Sequence, residues 1–120
     1  MLILAGYACV AQLPDFPQGP PYGKHCGIVG IDPEPRVTTE QMIQFQDTAA
    51  IFNWLHDADA VYQTYAAEAV IRLQKAGMPI PKKELVIVGN LKRSKGMVHT
   101  CSGCTHFEMP IKDALEMFLD

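Results

Sequence analysis

The run Lys75-Ala76-Gly77-Met78-Pro79-Ile80-Pro81 constrains the fold most, because it dictates where a helix must stop. Lys75 suits the negative end of a helix dipole, Gly77 accepts the left-handed position past the last turn, and Pro79 and Pro81 forbid continuation. Upstream, Val61, Tyr65, Ala69 and Leu73 recur at helical spacing, with Tyr62, Ala66 and Val70 beside them. His56-Asp57-Ala58-Asp59 supplies a start, since either aspartate can cap the next turn. A helix over 57–76 is expected, and the remaining elements must pack on it.

Before it, Thr38 with Gln41 makes a capping-box pattern, and Met42, Phe45, Ala49 and Phe52 give one apolar face. A helix over 39–55 follows from that. After it, Glu84-Leu85-Val86-Ile87-Val88-Gly89 reads as a central strand, with Val86, Ile87 and Val88 almost fully buried. Phe45, Phe52, Val70 and Leu73 would pack against that strand. Met97-Val98-His99 reads as a short strand, and Pro110 opens a last helix with Ile111, Leu115 and Phe118 inward.

The N-terminal part is less regular. Met1 to Ala11 reads as a buried first strand; a truncated signal or lipoprotein segment is the alternative, because Cys9 follows small residues. Pro14, Pro17, Gly19, Pro20, Pro21 and Gly23 impose an irregular path. His25 to Ile31 reads as a strand that Asp32-Pro33-Glu34-Pro35 ends. The expected fold class is therefore α/β: a single domain over 1–120, one small mixed sheet with flanking helices.

A chain of 120 residues buries one core, and its net charge of -3 argues against a whole-surface affinity for nucleic acid. A local patch is still available in Lys92, Arg93 and Lys95, which with Lys82 and Lys83 could grip phosphates of a nucleic acid or nucleoside, or protect a strand edge. No basic leader precedes the apolar start, and no run of about 20 apolar residues occurs. No membrane association is expected, and the cytoplasm is the expected compartment, with a secreted toxin module or a virion component as alternatives.

Chemistry concentrates in Cys101-Ser102-Gly103-Cys104. Two cysteines at this spacing can present both sulfurs to one tetrahedral ion, which specifies half a zinc site. His99 and His106 lie close in sequence; folding could bring His25, Cys26 and His56 near. The same spacing fits a redox dithiol or a disulfide. Haem attachment is excluded, because Thr105 and not histidine follows Cys104. Cys9 and Cys26 read as ordinary buried thiols.

The order of a helix with an internal glutamate, a strand, and Cys-x-x-Cys opening a helix resembles the zinc-dependent deaminases of cytidine and related bases. Ala66-Ala67-Glu68-Ala69-Val70-Ile71 looks like that helix, Glu84 to Val88 like the strand, and Thr100-Cys101-Ser102-Gly103-Cys104 like the cysteine motif. Together with Pro20-Pro21-Tyr22-Gly23-Lys24, the motif is more similar to the bacterial toxin deaminases acting on DNA. The resemblance implies a deaminase-like fold and a hydrolase acting on cytosine, with Glu68 as general acid/base and Cys101 and Cys104 as zinc ligands. Ala66 stands where the family places a histidine or cysteine, so His56, or else Cys26, is the candidate third ligand. The alternative is a non-enzymatic structural or interaction subunit of a larger assembly, with a protein partner or further copies of itself, and the cysteine pair as a metal clip.

Overall fold

The computed structural model describes residues 19–27 and 29–119. Along them run β1 (Tyr22–Cys26), α1 (Glu34–Gln44), α2 (Thr48–Leu55), α3 (Ala60–Lys75), α4 (Lys82–Arg93), β2 (Met97–Gly103), β3 (Thr105–Pro110) and α5 (Ile111–Leu119). The sheet has the order β1-β2-β3; β1 is parallel to β2, and β2 is antiparallel to β3. The fold is thus α/β, a small mixed sheet with flanking helices. The expected first strand, Met1 to Ala11, and Pro14 and Pro17 lie outside the described residues.

Helix α3 organises the rest, touching every other described helix as well as β1 and β2. Its ends are those the local sequence dictates. Asp59 accepts a hydrogen bond from the Val61 amide at 2.8 Å, and Asp57 holds the Asp59 amide at 2.7 Å. At the other end the Met78 amide reaches the Leu73 carbonyl and the Gly77 amide the Gln74 carbonyl, both at 3.0 Å. This Schellman pattern needs the φ of +96° that Gly77 adopts. Between the ends, residues 64–70 are buried without interruption, because the alanines at 66, 67 and 69 let neighbouring elements approach from several sides.

Helix α4 corrects the strand expected at 84–89. Glu84 and Val88 are buried one turn apart, while Val86 is 48% exposed, a helical pattern and not that of a two-sided strand. Glu84 lies in the first turn, and Lys92 and Arg93 in the last, which suits the helix dipole. Four consecutive apolar side chains are compatible with either state. Packing of one face on α3 and α2 decides for the helix.

The helix expected over 39–55 is two helices. Gln46 takes a φ of +52°, and Asp47 starts α2 by accepting from the Ala50 amide at 3.2 Å. Phe45, expected in the core, is left 75% exposed at that break, and Phe52 is only half-buried. Helix α1 also begins earlier than the capping-box pattern suggests. Pro33 and Pro35 fit its first turn, since neither needs to donate an amide there, and Thr38 lies inside the helix.

At the sheet, β1 begins at Tyr22, before the expected start at His25, and Ile31 returns only as an isolated bridge to Cys26. The Cys101–Cys104 run does not open a helix. It forms the end of β2 and the tip of a hairpin, where Ser102 pairs with Thr105 and Gly103 takes a φ of +57°. The final helix starts after Pro110 as expected, with Ile111 and Leu115 buried and Phe118 packed against Tyr22. Among the described residues, no helix is long and apolar enough to cross a membrane.

Candidate functional site

Glu68 is fully buried in the middle of α3, and a carboxylate in that position must find cations. Arg36, on α1 and only 1% exposed, supplies the main one. Its Nη1 donates to Oε2 at 2.7 Å and its Nη2 to Oε1 at 2.8 Å, a two-pronged pairing that the planar guanidinium suits. The Tyr22 hydroxyl donates to Oε1 at 2.5 Å, and Arg72 Nη1 donates to Oε2 at 3.0 Å. Each carboxylate oxygen therefore accepts two hydrogen bonds, about all that its lone pairs allow.

The network extends outward. Arg36 Nε donates to the Gly23 carbonyl at 3.0 Å, and Arg36 and Arg72 converge on Glu40. The Arg36 guanidinium also lies over the ring of Tyr65, 4.9 Å from its centroid. Tyr65 donates to the Pro21 carbonyl at 2.7 Å and accepts from the Gly23 amide at 3.0 Å. Three elements far apart in sequence, β1, α1 and α3, are thereby locked by polar contacts.

Electrostatics follow the geometry. Burial works to raise the Glu68 pKa, but the hydrogen bonds and charge of Arg36, with Tyr22 and Arg72, outweigh it and hold the carboxyl below its ordinary range. Glu40 is held low by Arg72 and then Arg36, against partial burial. Tyr22 and Tyr65 are pushed up, chiefly by burial, and for Tyr22 also by the adjacent Glu68 charge. Glu68 is an ionised and saturated acceptor, tuned away from moving protons near neutrality.

The cysteine site lies on the other face of the sheet. Tyr22 pairs with Thr100, and Tyr22 points to the helix side, where it meets Glu68. Neighbouring residues of a strand face opposite ways, so Gly23 and its partner Cys101 face away from Glu68. There Cys101 forms a disulfide with Cys26, with Cα atoms 5.6 Å apart. A β-carbon at Gly23 would come within 2.6 Å of the Cys101 sulfur, so only glycine fits beneath it. Cys26 is thus a cross-link partner and not the isolated thiol expected.

The remaining expected residues are dispersed. Cys104 sits at the exposed hairpin tip, and the described residues include no free cysteine. His56 closes α2 and meets Glu84 of α4, Nε2 to Oε2 at 3.1 Å. His99 and His106 stack on the hairpin with ring centroids 5.4 Å apart, and burial lowers the pKa of both. Among the described residues no three histidine, cysteine or carboxylate groups are placed to hold a metal. Glu68, Cys101, Cys104 and His56, as placed, do not fit a zinc centre: Glu68 is saturated, Cys101 and Cys104 are both tied up in disulfides, and the sheet separates Glu68 from Cys101. Lys92 and Arg93 line a cavity of about 730 Å³ with Ser94, Pro110 and Lys112.

Sequence reasoning missed Arg36 and Tyr22. The available signal was Glu68 itself: a charge set among Ala66, Ala67, Ala69 and Val70 has no polar face and demands a buried cation. Compared with known protein families, with curated proteins and with solved structures, the chain matches none.

Proposed function

We propose that this domain is a non-catalytic interaction module, a subunit held in shape by the Cys26–Cys101 cross-link, and not a working cytosine deaminase. The observation that carries this reading is Glu68. A general acid/base must reach the proton it moves, and this carboxylate is enclosed, fully hydrogen-bonded and on the opposite sheet face from Cys101. The disulfide takes the part that a metal clip would play. Disulfides persist in oxidising surroundings, which favours an extracytoplasmic setting over the cytoplasm.

The test is an ammonia-release assay on cytidine and on single-stranded DNA containing cytosine, with and without added zinc. Wild type and Glu68→Gln are both expected to be inactive. Ammonia release that Glu68→Gln abolishes while the fold is retained would overturn the reading and restore the deaminase one.

A further inference from the structure

Two surfaces of this chain are opposite in charge but lie apart within one molecule. The first is a trough across α1, α2 and the start of α3. Trp54 and Thr38 sit at its middle; Pro35, Tyr62 and Glu34 line one half, and Met42, Phe45 and Asp47 the other. The two halves enclose about 380 and 350 Å³. Trp54 and Tyr62 meet edge to face at 4.8 Å, and Phe45 stands exposed at the far end. The charges around the trough are negative: besides burial, the groups that raise the Tyr62 pKa are Asp59, Glu34 and Asp57. An aromatic floor ringed by carboxylates suits a cation carried on an apolar stem.

The second surface is the turn from α4 into β2, Ser94-Lys95-Gly96-Met97. Met97 is 48% exposed and pairs with Pro110, which lines a cavity together with Lys92, Arg93 and Lys112 and the single carboxylate Asp113; Lys95 lies two residues before Met97, so cations outnumber acids there. The turn is fixed in place: Ser94 Oγ donates to the Leu91 carbonyl and accepts from the Gly96 amide, and the Gly96 carbonyl accepts from Ile111. Methionine adapts its shape and makes favourable sulfur–aromatic contacts, so it matches the floor of the trough. The two surfaces lie at opposite ends of α4. Glu84 in its first turn touches His56, the neighbour of Asp57, whereas Lys92 and Arg93 close its last turn, about 18 Å along a helix of 12 residues.

We infer that the cationic turn at Lys95–Met97 of one copy docks into the acidic aromatic trough at Trp54 of another, joining copies head to tail. This rests on the reading of the domain as an interaction module and names its partner as a second copy. The interface is heterologous, so a joined pair keeps one free trough and one free turn, and association continues into rings or open chains. Salt screens the contact because both surfaces are exposed.

The test uses the full chain with its disulfides intact, in sedimentation experiments over a range of concentrations. Wild type is expected to associate as its concentration rises, and to dissociate when salt is raised from about 50 mM to about 500 mM. A trough-reversed variant, Glu34→Lys with Thr38→Lys, and a turn-reversed variant, Lys92→Glu with Lys95→Glu and Lys112→Glu, should each stay monomeric. Mixed in equal amounts they should associate again, since the native turn of one meets the native trough of the other and the two reversed surfaces are once more opposite in charge. Met97→Ser, which keeps every charge, should weaken association about tenfold. Trp54, the chain's single tryptophan, reports occupancy of the trough by its emission. Wild type that remains monomeric at about 1 mM and low salt, a mixture that stays monomeric, or association that neither reversal weakens would overturn the inference. Glu68-dependent deamination would instead sink the underlying reading and leave this equilibrium unmoved.

Discussion

The two faces of the three-stranded sheet are held by opposite means. On the helix side, Arg36, Glu68, Tyr22 and Arg72 form a network of charges and hydroxyls with no covalent link. On the other side, one covalent bond ties Cys26 at the end of β1 to Cys101 in β2. The first clamp depends on ionisation and on every partner being present; the second depends on oxidation and on a loop of 75 residues being closed. A chain of this size gains shape-holding from both, and the two can be broken independently.

The largest effect is expected on the helix side. Arg36→Met leaves the Glu68 charge buried without its main partner and should cost about 3–5 kcal/mol in chemical denaturation. Adding Glu68→Met to it should recover much of that loss, because an apolar pair needs no solvation. A double variant no better than the single would show that the network contributes more than charge pairing. The same clamp predicts the pH dependence. Glu68 and Glu40 are held low, so their contribution is complete above the ordinary carboxylate range and is lost as pH falls through their depressed values. Tyr22 and Tyr65 are raised, so their contribution is complete below the ordinary tyrosine value of 10.0 and is lost as pH rises above it. Thermal melts across pH should show both flanks, and the acid flank should shrink in the Arg36→Met, Glu68→Met protein.

Next in size is the covalent face. Cys26→Ser with Cys101→Ser should cost about 2–4 kcal/mol, most of it by freeing the unfolded chain. Reduction of the wild type, which also opens the disulfide of Cys104, should cost at least as much and leave the pH flanks of the helix-side network in place. Flanks that vanish on reduction would mean that the two faces act as one unit.

Smaller effects test the helices that carry the network. Gly77→Ala puts a β-carbon at a φ of +96° and should cost about 1 kcal/mol. Val86→Ala should change stability by less than about 0.5 kcal/mol, since the side chain is largely exposed on α4. A loss of about 2 kcal/mol or more there would point instead to a buried strand.

The sequence by itself determined the elements whose ends are written in adjacent residues. Asp59 and the Gly77-to-Pro81 stop set the bounds of α3, and Pro110 with Ile111 and Leu115 set α5, because capping and proline chemistry act over four or five residues. The α/β class holds although the clearest expected strand, 84–89, is a helix, because β1, β2 and β3 supply the sheet. Tertiary structure alone decided whether Leu85-Val86-Ile87-Val88 becomes strand or helix, because a short apolar run satisfies both and the packing of Glu84 and Val88 selects one. It also decided the fate of the two residues that drew chemical attention. Glu68 meets Arg36 across 32 positions and Cys101 meets Cys26 across 75, so what each side chain does depends on a partner that no local pattern names.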